Sequence, residues 1–264
     1  IMDFQEKFFQ HSGVSTKYLE RGSGETILFF IGGGVRVETF EKILNDFSNK
    51  YHVVAPDLPP FGDATVPKEI WELEDYGNFF VEFIKFLNIK NLTVAGFSFG
   101  GGIALALAAK SEEVKNLILI DSAGKSSNYS ETKFRYKYFV EKTFFDLFHY
   151  RDIPLFFLIT KDFLANRIKK FFQWPHITKI VRNVLLKDFE NFHKIKARTL
   201  ILWGSQDEIF SPKLAKGINK EITNSTLRFV DGNHDWSFFR HRELVDLITQ
   251  WLEGKEFAAG VKIQ

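Results

Sequence analysis

Cysteine is absent from this 264-residue sequence, and methionine occurs once, at Met2. The first absence removes disulfides, thiolate metal sites and cysteine nucleophiles together. No run approaches the roughly 18 apolar residues that a membrane-spanning helix needs. A basic segment followed by an apolar one, the mark of a secretion signal, is also missing, so a cytoplasmic protein with no membrane span is expected. An excess of one charge sign is lacking as well, with 35 Lys and Arg against 33 Asp and Glu. The net charge is +2, and no dense Lys/Arg stripe with interleaved aromatics argues for nucleic acid as a partner. His176 and His193 have no carboxylates at ligand spacing, so no metal is expected. Ile1 before Met2, and the Glu256–Gln264 tail, read as additions to the natural chain.

Two glycine-bearing stretches imitate cofactor motifs and fail on a required position. Gly32-Gly33-Gly34 with Asp57 one strand later resembles a dinucleotide fingerprint, but that pattern needs a small residue where Val37 stands. Gly124-Lys125-Ser126 resembles the end of a phosphate loop, whose first glycine would have to replace Leu119. No cofactor is expected.

What the chain has in quantity is phenylalanine, 31 of them, within a composition of 45% hydrophobic and 26% charged residues that is ordinary for a globular protein. Codon bias and function explain the excess equally well. The length allows one large α/β domain or two small ones.

Phe4–Gln10 and Val14–Arg21, separated by Ser12-Gly13, read as a hairpin. Thr26–Ile31 is continuously apolar, as befits a strand covered on both faces. Apolar spacing predicts a helix over Glu38–Phe47, and His52–Ala55 is a short strand ended by the turn Asp57-Leu58-Pro59-Pro60-Phe61-Gly62. Ile70–Leu87 is a long helix. A strand at Leu92–Ala95, a helix from Ile103 and a strand at Val114–Ile120 continue an alternation that implies a mainly parallel sheet with helical crossovers. From about Lys125 to Ile195 the alternation stops. Helical segments such as Phe134–Phe148 and Phe163–Phe172, interrupted at Pro154 and Pro175, replace it. Arg198–Gly204, a helix opening at Ser211-Pro212, Leu227–Val230 and the helix Trp236–Leu252 resume it. The expected organisation is an α/β core formed by residues 1–124 and 196–264, with residues 125–195 as an inserted helical cap or lid.

Gly96-Phe97-Ser98-Phe99-Gly100 stands between a strand and a helix. This is the G-x-S-x-G spacing of a nucleophile elbow, where small residues are needed because strand and helix pass close to a strained serine. A serine hydroxyl is a poor nucleophile at neutral pH and needs a base, which in turn needs an orienting carboxylate. Of the seven histidines, only His234 directly follows the last strand. The loop Gly204-Ser205-Gln206-Asp207-Glu208, leaving the strand before it, supplies carboxylates, and Asp121 ends another strand.

With these pieces in order the chain resembles the α/β-hydrolase family from about Phe4 to Leu252. The resemblance rests on Phe30-Ile31-Gly32-Gly33-Gly34, the Asp57–Gly62 turn, the elbow, the Gly204-Ser205-Gln206-Asp207 loop and Gly232-Asn233-His234. It implies a mostly parallel eight-stranded sheet flanked by helices, with Ser98 as nucleophile, Asp207 as acid and His234 as general base. Asp121 sits where some relatives place the acid, and Asp57 reads as a turn residue. Oxyanion donors should be the backbone N–H groups of Phe99, at a helix start, and of a residue in the loop after Thr26–Ile31. Many family members have His-Gly there and this chain has Ile31-Gly32. Alignment of the pair gives Gly33, with Gly34 close behind.

The expected activity is carboxylesterase-like cleavage of an ester or related acyl bond through an acyl-enzyme, by a monomer or homodimer. Phe144, Phe145, Phe148, Phe156, Phe157, Phe163 and Trp174 in the cap favour a hydrophobic small-molecule substrate. The same triad would also serve carbon–carbon bond hydrolysis, lactone opening, aminopeptidase activity using Glu141 or Glu190, or a receptor without turnover.

Overall fold

The computed structural model describes residues 4–126, 146, 153–255 and 262–263. Among the described residues nine strands form one sheet in the order β1-β2-β4-β3-β5-β6-β7-β8-β9. β1 (Gln5–His11) and β2 (Val14–Arg21) make the expected antiparallel hairpin, and β2 pairs antiparallel with β4 (His52–Pro56). From β4 through β3 (Thr26–Phe30), β5 (Leu92–Phe97), β6 (Val114–Ile120), β7 (Arg198–Gly204) and β8 (Ser225–Val230), every pairing is parallel. The eight expected strands are all present. The ninth, β9 (Lys262–Ile263), adds two residues antiparallel to β8.

The central strands are short β-branched and aromatic runs buried on both sides. Every residue of β5 is buried, as are the last four of β3 and β6. Such strands can only be interior to a sheet covered by helices on each face. α1 (Glu41–Ser48) follows a 3₁₀ turn at Val37–Phe40, and α2 (Leu73–Phe86) packs on α3 (Phe99–Lys110). α3 is apolar all round and buried from Phe99 to Ala108, the signature of a helix with no solvent face. Aromatic rings fill the space under β1. Phe9 meets Phe79 and Phe83 edge to face at 5.2 Å, and Phe80 lies edge-on to both.

Two helices begin or divide differently from the periodicity. α2 starts at Leu73 and not at Ile70, because Glu72 is extended and Asp75 accepts its N–H at 2.8 Å. The last helical stretch splits into α7 (Trp236–Phe239) and α8 (His241–Leu252) at Arg240. α8 packs against α1. α6 (Pro212–Glu221) opens on the expected Ser211 cap, which accepts from Lys213 N–H, with Pro212 in its first turn.

Between β6 and β7 the described residues hold no strand. α4 (Ile153–Lys169) and α5 (Trp174–Leu185) occupy this stretch. Pro154 and Pro175 lie in the first turns of these helices, where the missing N–H costs nothing, so they start helices and do not interrupt them. The segment Phe134–Phe148 lies outside the described residues except for Asp146.

α4 is fastened to the sheet's loops by polar groups. Asp162 accepts from Arg36 N–H at 2.6 Å, from Arg36 Nε at 2.7 Å and from Thr39 Oγ at 2.8 Å. Asn166 accepts from Gly62 N–H at 3.0 Å. Just past the helix, the Lys170 ammonium donates to Pro60 and Ala64 carbonyls at 2.6 and 2.8 Å. Burial and the neighbouring Lys169 push this amine down to about 8, against the pull of Asp57 and Asp63.

Among the described residues no helix is long and apolar enough to cross a membrane.

Candidate active site

The parallel register brings four strand ends level. Phe97 pairs with Ile120, Ile120 with Leu202, and Gly204 with Val230. Ser98, Asp121, Asp207 and His234 therefore emerge along one edge of the sheet, although they are far apart in sequence.

Ser98 has φ 53° and ψ −116°, left-handed backbone that a non-glycine residue adopts at a cost of about 1–3 kcal/mol. Its neighbours hold it there. Ser98 N–H donates to Ile120 O at 2.9 Å, and Ser98 O accepts from Gly101 N–H at 3.0 Å and Ala123 N–H at 2.9 Å. The flanking glycines are sterically obligatory. A Cβ on Gly96 would strike the Gly100 carbonyl, and one on Gly100 would strike the carbonyl oxygens of Phe30 and Ile31. α3 thus starts directly against β3.

Ser98 Oγ lies 3.0 Å from His234 Nε2, and His234 Nδ1 lies 2.9 Å from Asp207 Oδ2. A carboxylate accepts only, so Nδ1 carries the ring proton and Nε2 is left as the acceptor for the serine hydroxyl. All three side chains are buried. Asp207 is held in turn, its Oδ1 accepting from Ile209 and Phe210 N–H, both at 2.8 Å. The imidazole is flanked by Phe97 and Phe210, with ring centroids 5.1 and 5.5 Å away. Burial alone would disfavour the imidazolium. The Asp207 carboxylate outweighs it, with Asp235 and Glu208 adding, and the net effect raises the His234 pKa above its ordinary value.

Asp121, the alternative carboxylate, does not reach the imidazole by any described hydrogen bond. It is fully buried, with Oδ1 accepting from Gly204 N–H and Oδ2 from Trp236 Nε1, each at 2.7 Å. Burial and the adjacent Asp207 charge push its pKa far up. Asp57 is a turn residue, as expected. Its oxygens accept from Val37 and Asp63 N–H at 2.8 Å, and burial raises its carboxyl to about 6.

Three supporting residues have no role assigned from the sequence, although Glu208 and Asn233 lie in the loops that it singles out. Glu208 accepts from His234 N–H at 3.3 Å. Asn233 donates to Asp146 at 2.7 Å, joining the segment between β6 and β7 to the histidine loop. Trp236 caps Asp121. Only their position beside the acid and base could have marked them.

Phe99 is the first residue of α3, so its N–H has no acceptor within the helix. Gly33 packs on Phe99, and a Cβ there would come within 3.1 Å of Phe99 Cβ and of Phe61. Gly34 has φ +91° and lies beneath the Phe163 ring. Phe163 stands edge-on to Trp174 at 6.5 Å. Phe157, expected to line a pocket, instead exposes most of its ring to solvent. Glu190 is exposed, and Phe144, Phe145, Phe148 and Glu141 lie outside the described residues.

Asp121, Asp207 and His234 offer ligand atoms within 4.8 Å of one another, which is metal-like spacing. The donor set does not suit an ion. Both Asp121 oxygens and both Asp207 oxygens already accept hydrogen bonds, and His234 has one nitrogen on Asp207 and the other on Ser98.

The family model described as the alpha/beta hydrolase fold matches residues 25–158. Lipase 1 of Psychrobacter immobilis is 29% identical over 231 residues, 80% of this chain and 72% of that protein. The 2-hydroxy-6-oxo-6-(2'-aminophenyl)hexa-2,4-dienoic acid hydrolase of Metapseudomonas resinovorans is 24% identical over 258 residues, covering 91% and 88%. Among solved structures, a bacterial membrane phospholipase A superposes with a TM-score of 0.79 at 22% identity, covering 95% of this chain and 86% of that one. A serine hydrolase of carbazole degradation gives 0.79 at 21%, covering 96% and 100%. At these identities the structures establish the fold alone.

Proposed function

We propose that this chain, which belongs to the α/β-hydrolase fold family, is a serine hydrolase that cleaves an ester or related acyl bond of a hydrophobic small molecule. The observation that carries the proposal is the continuous relay from Ser98 Oγ through His234 to Asp207, with contacts of 3.0 and 2.9 Å.

Ser98 Oγ attacks the carbonyl carbon while His234 Nε2 takes its proton. Asp207 keeps the imidazole in the tautomer that can accept and stabilises the imidazolium that results. Negative charge on the former carbonyl oxygen is met by the Phe99 and Gly33 N–H groups. Phe99 supports this by its place at a helix start, and Gly33 by its packing against Phe99. His234 then protonates the leaving oxygen, and the acyl group stays on Ser98. A water molecule, deprotonated by His234, attacks this acyl carbon, and the proton returns to Ser98 as the acid departs.

Residues 125–195 act as a cap in this reading, since α4 and Asp146 are hydrogen-bonded to loops beside the relay. Phe163, lying on Gly34, gives the acyl or alcohol side of the substrate an apolar wall. The likeness to a dienoic acid hydrolase supports a carbon–carbon bond next to a ketone as a second target of the same relay.

The test is covalent labelling. A fluorophosphonate should add to Ser98, located by mass spectrometry, and nitrophenyl esters of graded chain length should be hydrolysed with multiple turnovers that Ser98→Ala abolishes. Labelling elsewhere, or labelling indifferent to His234→Ala, would sink the mechanism.

A further inference from the structure

α4 is built inside out. Asp162 and Asn166, with Lys170 one turn further on, are the residues it buries against the loops around Arg36 and Pro60. On the opposite side Phe157, Lys161, Leu164 and Ile168 follow at helical intervals, continued by Phe171 and Phe172 in the 3₁₀ turn Phe171–Gln173. These side chains face solvent, Ile168 being 75% and Phe172 95% exposed. A surface helix ordinarily buries its apolar face and wets its polar one. Here the buried polar residues, with Ile159 and Phe163 beside them, hold the helix to the protein, and the remaining apolar side chains are presented outward as one patch.

Charge identifies what this patch meets. Residues 153–187 hold seven Lys and Arg against one carboxylate, Asp162, while the whole chain carries only +2. The rest of the chain is therefore net negative. Lys170 is buried, and Lys169 and Lys187 pair with Asp63 and Glu72, but Lys161 stands on the outer face of α4 itself, with Arg167 beside the Trp174 ring. Asp162 is buried and paired with Arg36, so it does not offset this field outside. Lys161 lies within the stripe, a turn from both Phe157 and Leu164. An apolar face flanked by cations suits the boundary between anionic headgroups and acyl chains. It suits a second copy poorly, because a two-fold interface would set Lys161 and its neighbouring cations against themselves.

We propose that the outer face of α4 and the Phe171–Phe172 turn form a docking surface for an anionic lipid layer. The apolar side chains enter the acyl boundary, and Lys161 lies at headgroup level. The contact needs no chemistry at Ser98, so it stands or falls separately from the hydrolase reading.

The experiment is cosedimentation of the full chain with vesicles of phosphatidylglycerol or of phosphatidylcholine, in low salt and in about 0.5 M NaCl. Phosphatidylglycerol vesicles should carry the chain down, with phosphatidylcholine and high salt each weakening binding severalfold. Combining Ile168→Ser, Phe171→Ser and Phe172→Ser should reduce binding at least tenfold. Lys161→Glu should erase the preference for phosphatidylglycerol. All four positions are solvent-facing, so melting temperature and fluorophosphonate labelling should stay as in the parent chain. Absence of binding to phosphatidylglycerol, or equal binding by the triple variant, overturns the proposal. A chain that dimerises through this face, becomes monomeric in the triple variant and ignores vesicles overturns it in favour of a second copy.

Discussion

The carboxyl groups of Asp121 and Asp207 approach within 4.8 Å of each other, both buried, just beyond the ends of adjacent strands. Only Asp207 hydrogen-bonds the imidazole. Asp207→Asn should therefore cut kcat by roughly 10³–10⁴-fold, because an amide stabilises the wrong tautomer. Asp121→Asn should cost stability instead. Its amide can accept from Gly204 or Trp236 but not from both, and one stranded buried donor costs about 1–3 kcal/mol. Kinetics and thermal melting of the two variants separate these roles. If Asp121→Asn gives the larger loss of kcat, the acid has been misassigned.

Activity should rise with pH through a midpoint above 6.5, the ordinary histidine value, since His234 works as a base only when neutral and its pKa is raised. In Asp207→Asn the residual activity should show a lower midpoint, because burial then acts without its main opposing charge. Stability should move the other way. A raised folded-state pKa contributes stability that is complete below the unfolded value and lost as pH climbs through the folded one. For Asp57 that loss runs from about 3.8 to about 6, and for His234 it begins near 6.5. Melting temperature against pH, beside kcat/KM against pH, checks both signs.

Gly100 and Gly217 should respond oppositely to alanine. At Gly100 the new methyl meets the backbone oxygens of Phe30 and Ile31, which belong to a central strand and its exit and cannot yield. Gly100→Ala should lose more than about 4 kcal/mol or fail to fold. Gly217 sits inside α6 with nothing nearer than Lys125 Cγ at 3.9 Å. Gly217→Ala should raise the melting temperature by about 1–3 °C, through helix propensity alone.

Much of this architecture was legible because the core strands are near-continuous apolar runs and the turns after them carry glycine. Ser98 and His234 could be found since a strand, a turn and a following helix bracket each of them. Strand ends alone did not separate Asp207 from Asp121, since both follow strands. The resemblance put the acid at Asp207, and the two carboxylates differ in their partners, the imidazole for Asp207 and Gly204 and Trp236 for Asp121. Helix starts were misjudged where a side chain terminates the pattern, as Asp75 does at Glu72. The outward face of α4 was misread for a related reason. Apolar residues on a helix ordinarily signal a buried side, and Phe157 was expected to face inward. Only the buried Asp162 and Asn166 reveal that the orientation is reversed.

Asp162 carries the largest single share of that fastening. It is a buried carboxylate receiving three donors, two from Arg36 and one from Thr39, and it lies beside Phe163, whose ring covers Gly34. Asp162→Asn keeps the shape but turns one accepting oxygen into a donor facing donors. The Arg36 N–H and the Thr39 hydroxyl already share Oδ2 and keep it where the amide oxygen stands. The donor that loses its acceptor is therefore Arg36 Nε, which faces the new amide N–H at a cost of about 1 kcal/mol. The Arg36 guanidinium is half exposed and can turn to water, so the ion pair itself adds little. Loosening α4 frees Phe163 from its seat on the glycine loop while leaving the Ser98–His234–Asp207 relay untouched. The expected outcome is a lower melting temperature, a KM for a long-chain ester raised several-fold, and kcat within about twofold of the parent. A fall in kcat with unchanged KM would mean that Asp162 supports the relay and not the substrate's wall.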